Sequence, residues 1–263
     1  MSDLTGESFK AEDVAKFYNH RPSYASQIYQ CLGEQAHAKG RLLDLGCGEG
    51  KIARTMSDVF QQVVAVDPSA NMIELGKSLK NGRAPNLVWV ESTAEDAPIE
   101  GLFDMVTFAS SIHWMDPKAL FAKLRPHLQP NYWIAIVDGD AAYAPPWEKG
   151  FKAFLERWVP IASGRSFGSR EWINLRDRHL DALDDIQLFD FISDPIQQTV
   201  EGFVLCQHSR NTFTLANLGD RVSEFRRELK ETVDPYSDDN GLLTFRIKTR
   251  LTLAKLQTDR PYS

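Results

Sequence analysis

Apolar positions alternate between two rhythms along the first 138 residues. Short, nearly unbroken apolar runs, RLLDLG (41–46), QVVAVDPS (62–69), LVWVEST (87–93), FDMVTFAS (103–110) and NYWIAIVDG (131–139), have the length and β-branched content of buried strands. Between them, KIARTMSDVF (51–60), ANMIELGKSLKN (70–81) and DPKALFAKLRPHL (116–128) place apolar residues three and four apart, which predicts helices. Ahead of them, 11–20 and 23–37 read as two helices, the first ended by Arg21-Pro22 in HRPSY. Strands alternating with helices predict a parallel sheet covered on both faces.

The rhythm then breaks. Residues 141–180 hold Pro145-Pro146, Gly150, Pro160, Gly164, Gly168 and the tryptophans Trp147, Trp158 and Trp172, which predicts an inserted helical cap. A further amphipathic helix is expected over 215–232, and LLTFRIKTRLTLAKL (242–256) alternates like a last strand, closing the sheet antiparallel at one edge. The expected fold is therefore α/β and Rossmann-like. It has a seven-stranded, mostly parallel sheet with helices on both faces, an antiparallel last strand and an inserted helical cap. The expected divisions are 1–38 (N-terminal helical lid), 39–140 (cofactor-binding core), 141–200 (cap and acceptor-binding insertion) and 201–263 (C-terminal part of the core sheet).

Composition narrows the function. At 263 residues the chain is one large domain or a domain with a sizeable insertion. Its net charge of -6 speaks against a nonspecific nucleic-acid binder. Cys31, Cys47 and Cys206 form no C-x-x-C pair, so neither a zinc cluster nor a disulfide framework is expected, and the histidines show no ligand spacing. The polar start MSDLTGESFKAEDVAKFY lacks a signal-peptide core, and no apolar run reaches the ~20 residues of a membrane helix, so a soluble cytoplasmic protein is expected.

The chemistry concentrates in LLDLGCGEGKIA, which follows the first strand. Its glycines Gly46, Gly48 and Gly50 are set tighter than the G-x-G-x-x-G of a dinucleotide loop, and Lys51 stands where the third glycine would be. Asp44 sits two residues before Gly46, where a carboxylate would repel a diphosphate and attract an ammonium or a sulfonium. S-adenosylmethionine carries both cations and no phosphate. Asp67 ends the second strand about twenty residues further on, the place from which an acid can hold both hydroxyls of a ribose. Amides around Ala94, with Glu95 or Asp96, can meet an adenine amino group, and Met72 can lie on the adenine face or simply fill the core.

Together LLDLGCGEGKIA, VVAVDPSANMIELGK, ESTAEDAP and FDMVTFASSIHWMD resemble a class I S-adenosylmethionine-dependent methyltransferase over residues 40–140. FYNHRPSY and SSIHWMD make the chain similar to the small-molecule type 11 group, in particular to relatives of trans-aconitate methyltransferase. The resemblance implies S-adenosylmethionine as cofactor, S-adenosylhomocysteine as product, and in-line transfer of a methyl group to a small molecule. It places Asp44, Gly46, Cys47 and Gly48 at the methionine end, Asp67 and Pro68 at the ribose, Met72, Ala94 and Glu95 at the adenine, and Ala109 or Ser110 at the amino acid portion. It makes Tyr18, Arg21 and Tyr24 parts of a lid over cofactor and acceptor. His113, beside Trp114, is the candidate general base. The acceptor wall is expected from Tyr24, Trp114, Trp147, Phe151, Trp158 and Trp172, with Arg165, Arg170 or Arg210 available for a carboxylate. No metal, membrane or nucleic-acid partner is expected. The competing readings are a methyltransferase for tRNA or protein and a noncatalytic cofactor-binding domain of the same fold.

Overall fold

The computed structural model describes residues 7–36, 38–168 and 177–257. Trp172 and Arg170 lie outside them. The chain divides into two compact units: the described residues within Ser26–Gly139, Asn174–Phe191 and Thr249–Ser263 form a sheet unit, and those within Met1–Ala25, Asp140–Ile173 and Ile192–Lys248 a helical unit.

In the sheet unit five strands run parallel: β1 (Arg41–Leu45), β2 (Gln62–Asp67), β3 (Leu87–Glu91), β4 (Phe103–Ala109) and β5 (Leu128–Asp138). Their order is β3-β2-β1-β4-β5. The chain thus steps outward from β1 through β2 to β3 and then returns to the other side of β1 with β4. Such a reversal opens a crevice beyond the strand C-termini, where ligands of open α/β sheets bind. The intervening helices are α2 (Gln27–Gln35), which precedes β1, then α3 (Lys51–Met56), α4 (Ala70–Ser78) and α5 (Pro117–Leu124). Helix α5 begins as its sequence dictates. Asp116 accepts from the amides of Lys118 (2.9 Å) and Ala119 (3.4 Å), and Pro117 takes the first position, where a missing N–H costs nothing. Leu43, Leu45, Val66, Val106, Phe108, Leu120, Leu124, Ile134 and Ile136 form the core between sheet and helices.

The last strand, β9 (Leu242–Leu256), has the expected extent. Its second half runs antiparallel to β5, with Ile134 opposite Ala254 and Asp138 opposite Arg250. Strand β7 (Leu183–Ile192) also pairs with it, and Asp190 holds Arg250 through both oxygens at 2.8 and 2.9 Å. Its first half pairs, in the helical unit, with β8 (Ile196–Thr199) and with the two residues of β6 (Ala142–Tyr143). Among the described residues the strand count is therefore nine, not the expected seven. A two-residue strand and the polar IQQT are too short and too polar to show a period, so only their pairing with β9 reveals them. Residues 183–199, expected within the helical cap, contribute β7 and β8.

The helical unit contains α1 (Glu12–Tyr18), α6 (Glu148–Ser163), α7 (Val200–Gln207), α8 (Leu215–Leu218) and α9 (Val222–Val233). The helix expected over 215–232 is interrupted by a 3-10 turn at Gly219–Arg221, where Gly219 has φ +51°. Aromatic rings fill this unit's core. Phe225, fully buried, has its ring centroid 5.0 Å from those of Phe154 and Phe213 and 5.2 Å from that of Trp158.

Candidate functional site

The loop after β1 is shaped by two steric demands. Gly46 has φ +64°, and a Cβ there would lie 2.5 Å from Ser111 Cβ and 3.0 Å from Met115 Cε. Gly50 caps α3 from the left-handed region at φ +75°, and its Cβ would lie 2.5 Å from the Trp89 ring. No L side chain fits either position without displacement. The spacing of these glycines follows from this path, which turns α3 directly over the end of β1. Trp89 is itself fixed by its indole N–H, which donates to the Gly82 carbonyl at 2.9 Å.

Asp44 lies beneath the loop and is fully buried. Its Oδ1 accepts from the Thr107 hydroxyl (2.8 Å), and its Oδ2 from the amide of Ala53 (3.2 Å), in the first turn of α3. Thr107 stands opposite Asp44 in the β1–β4 register. The carboxylate therefore ties β1, β4 and the start of α3 together. Burial pushes it up to about 7, against the lowering effect of both hydrogen bonds, and Asp67 adds to the rise. The folded chain thus holds this proton more tightly than an unfolded one. Asp44 contributes stability that is present below about pH 4 and is lost as pH rises through about 7. Asp44→Asn is expected to remove that dependence and to melt at a more constant temperature between pH 5 and 8. Melting curves across that range check this, and an unchanged slope would assign the dependence to another group.

Asp67, at the end of β2, is 7% exposed. Its Oδ2 accepts from the Gly48 amide at 2.7 Å and its Oδ1 from the Ser69 amide at 2.9 Å. A carboxylate has about four lone-pair directions, so two remain for a ligand. Burial pushes Asp67 up to about 6, and the two amides hold it down. Cys47 is 8% exposed between these acids, and burial, reinforced by Asp67 and Asp44, raises its thiol well above the ordinary value. It is a neutral packing group here. Its amide donates to the Val66 carbonyl at 3.0 Å, which joins the loop to β2.

The rim continues along the C-termini of β3 and β4. Ala94 is buried, Pro68 half-buried and Met72 is 1% exposed within α4. Glu95 accepts from the Asp116 amide at 2.8 Å and so ties its loop to the start of α5, while Asp96 accepts from the Thr93 hydroxyl at 2.9 Å and braces its own loop. Ala109 and Ser110 end β4 half-buried, and Ser110 adopts φ +53°, a strained conformation for serine. The neighbouring Ser111 hydroxyl donates to the Leu45 carbonyl at 2.7 Å. His113 and Trp114 follow on a 3-10 turn (Ile112–Trp114), half-buried, with ring centroids 4.5 Å apart. Arg178 donates to the carbonyls of His113 (3.5 Å) and Met115. The sheet unit thus brings together Asp44, Gly46, Cys47, Gly48, Asp67, Ser110 and His113, all next to strand C-termini.

Sequence reasoning missed Thr107, Ser111 and Trp89. It also missed Glu49, which forms a 2.6 Å ion pair with Arg54 beside the loop. Only the strand register and the loop path expose these partners, although the adjacent Ser110-Ser111 pair at a strand end was a signal available for Ser111.

Tyr18, Arg21, Tyr24 and Trp147 belong to the helical unit. The Arg21 guanidinium donates to the Ser209 hydroxyl (2.8 Å), the Ser209 carbonyl (2.7 Å), Asp140 (3.3 Å) and the Tyr18 hydroxyl (3.4 Å). Tyr24 is buried. Trp147 is 1% exposed in the aromatic core, in edge contact with Phe203 and Phe245. Trp158 is fully buried and donates from its indole to Glu228 at 2.9 Å. Phe151 and Arg210 line a cavity of this unit, and Trp147 and Trp158 do not. Among the described residues no group of His, Cys, Asp or Glu is placed to hold a metal ion, and no helix is long and apolar enough to cross a membrane.

Comparison with known proteins follows the same outline. Residues 42–131, from β1 into β5, match the family described as a methyltransferase domain. Over 133 residues the chain is 28% identical to a probable S-adenosylmethionine-dependent methyltransferase of Saccharomyces cerevisiae, covering 47% of this chain and 46% of that one. Over 111 residues it is 32% identical to the tRNA 5-carboxymethoxyuridine methyltransferase of Escherichia coli, covering 40% and 42%. The chain thus spans less than half the length of these curated relatives. Among solved structures, a putative type II methyltransferase from Anaeromyxobacter dehalogenans shares the fold, with a TM-score of 0.62 at 19% identity over 89% of this chain and 96% of that one.

Proposed function

We propose that this protein is a class I S-adenosylmethionine-dependent methyltransferase, as the match of residues 42–131 to a methyltransferase domain supports, and that it methylates a small-molecule acceptor with S-adenosylmethionine as donor. One observation carries the choice of cofactor. The Gly48 amide, which a diphosphate-binding loop would turn toward phosphate, donates instead to the Asp67 carboxylate at 2.7 Å. Two acids at the loop, Asp44 and Asp67, oppose an anion and favour a cation.

The residues present fit that donor. The two remaining lone-pair directions of Asp67 suit a vicinal diol, and the buried Ala94 and Met72 suit the flat apolar face of an adenine. Both Asp44 oxygens are engaged by protein donors, Thr107 and Ala53, and the side chain is fully buried, so it acts on the donor through its field and through the loop it anchors. The cofactor supplies a methyl group already activated on a sulfonium. The chain therefore has to orient the acceptor and exclude water, and alignment of that kind is worth about 7–11 kcal/mol.

His113, on the turn after β4, is assigned as the group that takes a proton from the acceptor. His113→Ala is expected to remove the acidic limb of the rate–pH profile while leaving the donor Kd unchanged. A profile of unaltered shape would eliminate the role.

Asp44→Asn is expected to raise the donor Kd about tenfold, the scale of a through-space attraction at intermediate dielectric. Calorimetric titration with S-adenosylmethionine reads it directly.

The reading as a whole is tested by incubating the purified protein with methyl-labelled donor and a metabolite extract. Label in a low-mass product supports the proposal. A ribonuclease-sensitive product would move the acceptor to RNA, the substrate class named for the Escherichia coli relative. Heat on titration with a nicotinamide dinucleotide and none with S-adenosylmethionine would refute the cofactor.

A further inference from the structure

The helical unit contains a cavity of about 440 Å³, within the size range of small-molecule sites. Its wall is largely apolar, with Phe151, Phe203, Phe213 and Phe245 among the lining residues. Its charged lining includes the pair Arg210–Asp140, Nη1 to Oδ1 at 3.2 Å, with the Arg210 side chain 29% exposed at the cavity wall. The other oxygen of Asp140 accepts from Arg21 at 3.3 Å, and the Asp140 and Arg21 side chains are only 10% and 8% exposed. Two guanidinium groups share one carboxylate, so this cluster of described residues carries one positive charge in excess.

The two arginines differ in what they have left to give. Arg21 is saturated by Ser209, Asp140 and Tyr18. Arg210 uses Nη1 on Asp140, and its Nε and Nη2 make no hydrogen bond among the described residues. Glu148 and Lys152 also line the cavity, but both are exposed, opposite in sign and screened by solvent. An excess charge partly screened from water beside an apolar wall favours an anion, and a guanidinium fork presents two parallel donors to a carboxylate.

We propose that this cavity binds a small organic monoanion, with its carboxylate on Arg210 and a flat apolar body among the phenylalanines. One excess positive charge neutralises one carboxylate, and a second or third would be desolvated against apolar walls without a partner. A tricarboxylate such as trans-aconitate is therefore the wrong charge for this site. The assignment stands apart from the donor reading, because binding is measured with no methyl donor present.

The test is calorimetry on the full chain with three probes: trans-cinnamate, its neutral methyl ester and citrate. Cinnamate is expected to bind, with the ester at least tenfold weaker (about 1.4 kcal/mol) and citrate giving no heat. Arg210→Met keeps the length of the side chain and leaves Asp140 paired with Arg21. It should weaken cinnamate at least tenfold and leave the ester unchanged or tighter, with a thermal melt reporting the fold. Phe151→Ala should weaken both cinnamate and ester. Equal affinity for cinnamate and ester, citrate binding more tightly than cinnamate, no heat with cinnamate, or an Arg210→Met chain that binds cinnamate normally would each overturn the proposal. Should Arg210→Met fail to fold, the three-probe comparison on the unaltered chain decides alone.

Discussion

Gly46→Ala is expected to abolish measurable donor binding and to lower the melting temperature by roughly 5–15 °C. Two costs add. The backbone at φ +64° disfavours any residue with a Cβ by about 1–2 kcal/mol. The new methyl would also lie 2.5 Å from Ser111 Cβ, and overpacking of this kind costs about 1–3 kcal/mol. For a chain of this size each kcal/mol lowers the melting temperature by about 2–4 °C. The clash has no soft side. Ser111 is held by its bond to the Leu45 carbonyl, so relief has to come from the loop itself. A loop displaced by about 1 Å misaligns the Gly48 amide and Asp67, and errors of that size cost about a hundredfold or more. Differential scanning calorimetry and titration with S-adenosylmethionine check the two effects separately. A variant with wild-type melting and affinity would show that the packing at Ser111 is not what holds the loop.

Asp67→Ala is expected to raise the donor Kd about a thousandfold. Two charge-assisted hydrogen bonds to a ribose contribute about 1.5–3 kcal/mol each, and about 1.4 kcal/mol corresponds to tenfold. The substitution also strips acceptors from the Gly48 and Ser69 amides, which relaxes the loop. Asp67→Asn keeps one oxygen for one of the two amides and is expected to bind the donor with an affinity between those of the wild type and Asp67→Ala.

The pH dependence has a definite sign. With Asp67 pushed up to about 6 by burial, a proton competes with the ribose below that pH, so donor affinity should fall as pH falls from 7 to 5. The stability of the free protein should move the other way. The raised value means that Asp67 contributes stability present below about pH 4 and lost as pH rises through about 6, up to about 1.4 kcal/mol per pH unit. Paired titrations and melts at pH 5, 6 and 7 read both trends. Affinity independent of pH over that range would remove Asp67 from the ligand's contacts.

Much of the sheet unit was legible in order and type, because each of its first five strands is a short apolar run bounded by glycine, proline or acid. The 15-residue β9 was found residue for residue, since its alternation runs from Leu242 to Leu251, the first of four buried residues in a row. Helix α3 was expected through Phe60 but ends at Met56, where Val59 and Phe60 both turn back onto the Met56 carbonyl. Its apolar spacing persists beyond the point at which the backbone leaves the helix. In the candidate site, Asp44 shows the limit of the same approach. Its position before the glycines was visible, but the partners that bury it were not.

The amino-acid sequence by itself determined the alternation of strand and helix, the positions of the glycines and acids at the crevice, and the long last strand. These are local properties of composition and period, which a linear reading contains in full. Tertiary structure alone decided that Thr107 faces Asp44, that Gly48 donates to Asp67, that β6 and β8 pair with β9, and that Arg210 meets Asp140 beside an apolar cavity. Each of those depends on residues far apart in the chain meeting in one register, and the free energy of such contacts exists only once the fold has brought them within reach.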